Sequence, residues 1–220
     1  VSTNFNLTSD QLVGSALRKL AVLGDGQSPS TSQLSTGTQA LNVMLKTLQT
    51  KGMPLWAISE MDVPMTASRT IGIGPTPLKV LQALILDNDS MIPLNVKTHN
   101  DYNLLGNPSA VGVPVHYWYE TTGVLHLWPT PDSDSIANKV IRIVYQRQFN
   151  DMVAGTDTLD FPNYWIEAVI YGLAHRLSPE YGIPLQDRQL LAKEAEYFLT
   201  EALSFGTEEG SMFFVPDRGY

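Results

Sequence analysis

The sequence predicts an α+β protein. The two ends of the chain are expected to form a four-helix α domain, interrupted by an antiparallel β sandwich or barrel and followed by an extended C-terminal tail. Two observations carry this expectation. Before residue 55 and after residue 150, apolar residues recur three and four apart, the spacing that gathers them on one helix face. Between those limits the apolar runs are short, rich in β-branched and aromatic residues, and punctuated by Pro, Gly, Asn and Asp. Neither helical pair could bury a sizeable core alone, so the four helices are expected to pack together. The expected organisation is residues 1–54 for the first helical pair and 55–150 for the β insertion. Residues 151–205 form the second helical pair, and 206–220 a docking tail.

Taken in order, the first helix is expected over residues 9–23. Leu12, Val13, Ala16, Leu17 and Leu20 share a face, "TSDQ" at 8–11 is a capping box, and Gly24-Asp25-Gly26 is the stop. A second helix is expected over 32–51, with Leu34, Leu41, Met44, Leu45 and Leu48 on one side and Gly52 and Pro54 beyond its end. The strand runs follow. Alternation puts Val113, Val115, Tyr117 and Tyr119 on one face of a strand, and Ile141, Ile143 and Tyr145 on one face of another. "ETTG" at 120–123 reads as the hairpin turn between two strands, and residues 98–105 as a short helical turn capped by Thr98. A third helix is expected to start at Asp160 as cap, with Pro162 in its first turn, and to end near Ser178-Pro179. Its sequence, "DFPNYWIEAVIYGLAHRLSPEYGIP", is apolar on almost every side and so requires cover on more than one. The last helix is expected over 185–205, with Leu191, Phe198, Leu199, Ala202 and Leu203 as its stripe.

Composition narrows the function. With 43% hydrophobic and 16% charged residues the chain falls among globular sequences rather than disordered ones. No apolar run approaches membrane-spanning length, and the first ten residues lack the basic and apolar regions of a signal peptide. The first residue is Val, which is read as removal of an initiator. There is no cysteine, so disulfides, thiolate zinc sites and cysteine nucleophiles are excluded. The formal net charge of −8 opposes tight DNA binding, which needs surplus cations to neutralise phosphates. A surface that DNA passes without sticking is the reading that fits.

No catalytic, cofactor or metal constellation is expected. His99, His116, His126 and His175 match no ligand spacing, and His116 and His126 lie on one face or on opposite faces depending on register. "GIGPTP" at 72–77 lacks the third glycine and the following helix of a dinucleotide loop. Asp87-Asn88-Asp89 and Asp132-Ser133-Asp134 are explained as acidic turns. Asp160 and Glu167 make a poor acid/base pair, because Asp160 already has the capping role. Two features remain. Asp187, Glu194 and Glu201 recur every seven residues as an acidic stripe, either a solvated face or, around a ring, a channel lining that repels phosphates. "MFFVP" at 212–216 puts two aromatics in a non-helical end that either folds back or docks on a neighbour.

Three segments together resemble the helical core of head-to-tail adaptor (connector) proteins of tailed bacteriophages: "GSALRKLAVLGDGQSPS" (14–30), "ALNVMLKTLQTKGMPLW" (40–56) and the apolar stretch at 160–184. The packaged-DNA stabilisation and tail tubular protein A group of short-tailed phages is the group they resemble. The resemblance covers roughly half the chain. It departs at Ala21 and Val22, which precede the glycine after the first helix, and it extends to 55–150 only in general character. It implies a non-enzymatic virion protein at the head–tail junction, assembled in the host cytoplasm as a ring, commonly of twelve subunits, beneath the portal protein. Such a ring extends the channel for passing double-stranded DNA, helps retain the genome and offers a platform to the tail nozzle or tube and to fibre proteins. On this reading Tyr164, Trp165, Tyr171, Phe213, Phe214, Val215 and Tyr220 are candidate subunit or portal contacts, and Asp187, Glu194 and Glu201 candidate channel-facing acids. The alternatives are a virion-associated peptidoglycan hydrolase, built on a carboxylate pair that no motif marks, and a neck or head-completion protein of a long-tailed phage.

Overall fold

In the computed structural model, which describes residues 5–50, 57–88 and 90–206, the chain is α+β. Among these residues are six α-helices, two four-stranded sheets and a small two-stranded one. They divide into two compact units, one drawn from both ends of the chain and the other spanning Ala57–Phe149.

The helical unit begins with α1, Ser9–Lys19, opened by a reciprocal cap in which Thr8 Oγ1 accepts from the Gln11 amide and the Gln11 side chain accepts from the Thr8 amide. The helix stops sooner than the glycines suggested. Ala21 takes φ +54°, the Ala21 amide donates to Arg18 O and the Val22 amide to Leu17 O. That is a left-handed helix stop with alanine where glycine is usual. Helix α2, Thr31–Leu48, has a second reciprocal cap, between Ser30 and Gln33. Gly37 lets it approach α1 closely, since a Cβ there would lie 2.3 Å from Val13 Cγ1. Gly52 and Pro54, read as its stop, lie outside the described residues.

A strap then ties the second half of this unit to the first. Asn42 holds the Met152 backbone by two 2.8 Å hydrogen bonds, one in each direction. The Ser9 amide donates to Asp157 O at 2.7 Å, and Thr8 bridges Thr158. The next helix starts later than Asp160. The chain enters through a 3-10 turn, Asn163–Trp165, with Pro162 at the cap position and no side-chain cap, so α5 runs only over Ile166–Leu177. At the far end Ser178 Oγ donates to His175 O at 2.7 Å, and Gly182 at φ +65° turns the chain into α6, Leu185–Phe205. Helix α5 buries Ile166, Ala168, Val169, Ile170, Leu173, Ala174 and Leu177. Its packing partners are α1, α2 and α6 of its own chain. The cover that its apolar surface demanded is therefore intramolecular.

The β unit contains β1 (Ile58–Pro64), β2 (Thr70–Gly72), β3 (Lys79–Asp87), β4 (Ser90–Pro93) and β5 (Asn95–Val96). After α3 (His99–Asn103) come β6 (Val111–Gly112), β7 (His116–Glu120), β8 (Val124–Trp128) and β9 (Thr130–Pro131). Helix α4 (Ser133–Asn138) and β10 (Lys139–Gln146) complete it. One sheet has the order β1-β10-β3-β4, the other β2-β8-β7-β5, and β6 pairs with β9. One apolar cluster draws on both four-stranded sheets: Ile85 and Ile143 from the first, Tyr117 and Leu125 from the second. That is sandwich packing. Among the described residues both sheets keep open edges and no barrel closes, and the short β5–β7 and β6–β9 pairs are parallel rather than antiparallel.

Alternation holds in β10, where Ile141, Ile143 and Tyr145 are buried. It fails early in β7. The strand starts only at His116, after Pro114, and leaves Val113 and Val115 38% and 45% exposed. The turn at Glu120–Gly123 forms, with Gly123 at φ +93°. Asp132, expected in an acidic turn, caps α4, its Oδ1 accepting from the Ser135 amide at 2.8 Å.

Candidate assembly surfaces of the helical unit

Helix α6 has 21 residues yet buries only Leu191 and Ala202. Phe198, Leu199 and Leu203, expected in its core stripe, are half-exposed, while Leu185, Leu190, Tyr197 and Phe205 stand 65%, 58%, 58% and 75% exposed. At about 100° per residue, the buried line through Leu191 and Ala202 divides the rest of the helix into two flanks of different character.

The flank towards α2 forms one wall of a cleft of about 560 Å³ between α2, α5 and α6. Met44, Leu48 and Gly172 make its apolar surface, and His175, Arg176 and Arg188 bring the polar groups. The antiparallel turn between α5 and α6 sets this up, because Arg176 closes one helix while Arg188 opens the next. His175 Nδ1 and Arg188 Nε are buried without a hydrogen-bond partner among the described residues. Glu196 on the rim is the carboxylate on this side.

The other flank, towards α1, is aromatic and acidic. Tyr171 stacks on Phe198 with ring centroids 4.9 Å apart, and Tyr164 meets Phe205 at 4.8 Å. Lys19 Nζ donates to Tyr171 Oη at 2.9 Å, and that bond, with Glu167 and Glu194 nearby, lifts the ammonium pKa above its ordinary value. A shallow hollow bounded by Tyr164, Glu167, Glu201 and Phe205 ends this flank. Asp187, Glu194 and Glu201 fall within about 40° of one another on it.

The structure therefore brings together some of the residues singled out by sequence and separates others. Tyr164 is 38% exposed beside Phe205. Trp165, its neighbour, is 2% exposed and packs edge-on against Phe161 at 5.5 Å, so its indole serves the core of its own unit. Phe213, Phe214, Val215 and Tyr220 lie outside the described residues. Sequence reasoning missed the Arg176/Arg188 cleft. The available signal was a cation at each side of the "SPEYGIP" turn, which an antiparallel pair must bring close.

In the β unit the histidines are accounted for by stacking. Register places His116 opposite Trp128 and Trp118 opposite His126, so both histidines are on the face away from the core. His126 lies 4.4 Å from Trp118, His116 5.7 Å from Trp128, and His99 of α3 4.6 Å from Trp118, centroid to centroid. Burial, and then the Lys97 charge, lowers the pKa of His116. Tyr102 Oη, itself buried, accepts from Arg69 Nε at 2.6 Å and donates to Leu127 O at 2.8 Å, fixing α3 over this face. Among the described residues no three His, Asp or Glu side chains converge as a metal site, and no helix is long and apolar enough to cross a membrane.

A family model described as SU10 adaptor protein matches residues 8–210, which takes in both units. No curated protein matches the chain.

Proposed function

The chain belongs to the SU10 adaptor protein family, and on that premise we propose that it is a structural subunit of a bacteriophage head-to-tail adaptor, assembled as a ring beneath the portal protein. The observation that carries the ring is α6, a helix that leaves Leu190, Tyr197 and Phe205 more than half exposed in a single copy. Aromatic and leucine side chains concentrated on one element mark a contact surface rather than a solvated one.

On this reading the packing of α5 against α1, α2 and α6 makes the two helical pairs one four-helix domain, which forms the body of the ring. Tyr164 and Tyr171 serve subunit or portal contact, and Trp165 holds the helix that presents them. Residues 206–220, including Phe213, Phe214, Val215 and Tyr220, dock on the portal. The ring, twelve-membered in the packaged-DNA stabilisation and tail tubular protein A pattern, continues the DNA channel, helps retain the genome and carries the tail. The net charge of −8 favours a bore that DNA passes without binding. Tail nozzle or tube proteins, and fibre proteins, are the partners on the far side, and the virion is the location.

Light scattering coupled to size exclusion tests this, with the chain measured alone and with portal-bearing capsids that lack it. The expected result is a ring on the capsid. A chain that neither binds those capsids nor oligomerises on them overturns the proposal.

A further inference from the structure

The ring reading leaves open which surfaces of neighbouring copies meet. A closed ring needs a heterologous contact, in which two different patches of one chain are complementary. The helical unit carries such a pair on opposite flanks of one helix. Towards α2 lies the cleft with Arg176, Arg188 and His175 over an apolar floor that includes Met44 and Leu48. Towards α1 lie Glu167, Glu194 and Glu201 with the Tyr164–Phe205 aromatic pair. The two flanks are about 140° apart around α6, and the buried line through Leu191 and Ala202 passes midway between them.

We propose that the Tyr164–Phe205 end of one copy, flanked by Glu167 and Glu201, seats in the Arg176/Arg188 cleft of the next. Each feature supplies what the other lacks. The cleft is concave, apolar at its floor and holds a guanidinium whose Nε is buried and unpartnered among the described residues. The opposing end is aromatic, with Phe205 75% exposed and two carboxylates beside it. Carboxylates reaching the cleft meet planar guanidinium donors suited to bidentate pairing. Lys19 on the acidic flank is occupied by Tyr171, and Glu196 on the cleft rim leaves the two arginines in excess. Repeated copy to copy, this contact propagates in one direction, as a ring requires. It also assigns Glu201 to the subunit boundary, with its carboxylate turned to protein rather than to the bore.

This inference rests on the ring reading, and charge exchange separates the two. Variant Arg176→Glu/Arg188→Glu has two acidic surfaces, and variant Glu167→Lys/Glu201→Lys has two basic ones. Each alone is expected to lose about tenfold or more of its ring formation on portal-bearing capsids, because like charges face each other. An equal mixture is expected to restore it, since each variant then meets its opposite on both sides. If wild type forms rings and the single variants do so equally well, the contact is wrong while the ring stands. If wild type forms none, the ring reading itself fails. A second measurement covers variants that fold poorly. The chain has no cysteine, so Ala192→Cys with Ser204→Cys gives one thiol per surface. A short bismaleimide should then yield a ladder of dimers, trimers and higher species on capsids, whereas either cysteine alone stays monomeric, because like thiols do not face each other across a heterologous contact. A double-cysteine chain that yields nothing above dimer, or a single-cysteine chain that cross-links as readily, overturns the proposal.

Discussion

Replacing Gly37 by alanine tests the packing on which the helical unit depends. By helix propensity alone, Gly37→Ala in the interior of α2 should stabilise by about 1 kcal/mol. The structure argues for the opposite sign. The new Cβ would sit 2.3 Å from Val13 Cγ1 and 2.9 Å from Cγ2, so α1 and α2 must part by roughly 1 Å, or Val13 must leave its rotamer. Val13 is fully buried, and its branched Cβ gives it no easy alternative. Overpacking of this kind costs about 1–3 kcal/mol, and after the propensity gain the net expectation is a loss of up to about 2 kcal/mol. Val13→Ala alone leaves a void and costs about 2 kcal/mol. In that background Gly37→Ala fills the void, keeps its propensity gain and should stabilise. The cycle should therefore show a coupling of about 1–3 kcal/mol, well above the few tenths expected of independent sites. Urea unfolding of the four proteins, followed by circular dichroism in the helix band, reads this directly. Stabilisation by Gly37→Ala in the wild-type background, or coupling below about 0.5 kcal/mol, would refute the close-approach argument.

Three further outcomes are expected. Ala21→Gly should raise the thermal midpoint, contributing about 1 kcal/mol, because φ +54° is strained for alanine and not for glycine. Asp157 accepts from the amides of Ala154 and Val153, and these bonds hold its carboxyl below the usual range. Its contribution is thus present above the unfolded aspartate pKa of about 3.9 and lost as pH falls through the lower folded value. Thermal midpoints measured down the acid limb should fall less steeply in Asp157→Ala than in wild type. Trp165→Ala should cost about 3–5 kcal/mol in unfolding experiments as a core truncation, whereas Tyr164→Ala should leave unfolding nearly unchanged and reduce binding to portal-bearing capsids in a sedimentation assay.

Much of the fold was legible because its signals are local. The Thr8/Gln11 cap, the α6 boundaries and the hairpin at Glu120–Gly123 are written in contiguous residues. What went unread depends on competition or on distance. Asp160 has the chemistry of a cap, but Pro162 and the buried Trp165 set a 3-10 entry that moves the helix start past it. Asp132-Ser133-Asp134 has turn composition and also suits the start of a helix, and the six residues of α4 give too short a period to decide between them. The α1 stop falls on an alanine, a residue that carries no sign of a left-handed conformation. The Arg176/Arg188 cleft exists only once α5 and α6 fold back on each other and α2 closes the third wall. Its apolar floor comes from residues more than a hundred positions away, and no spacing rule reaches so far.

The helical unit takes its pieces from both ends of the chain, and synthesis therefore imposes an order on it. The 93 residues of Ala57–Phe149 leave the ribosome complete in themselves, while α1 and α2 are still without α5. At about 5–20 residues per second, the interval between the end of α2 and the start of α5 is roughly 6 to 24 s. Through it Leu12, Leu17, Leu41 and Leu45 lack their partner helix, a window in which a chaperone has reason to hold them. The helix that carries both proposed contact surfaces is made later still. A chain cut short before α6 has neither surface to offer, so incomplete translation products are barred from a growing ring without any separate inspection step.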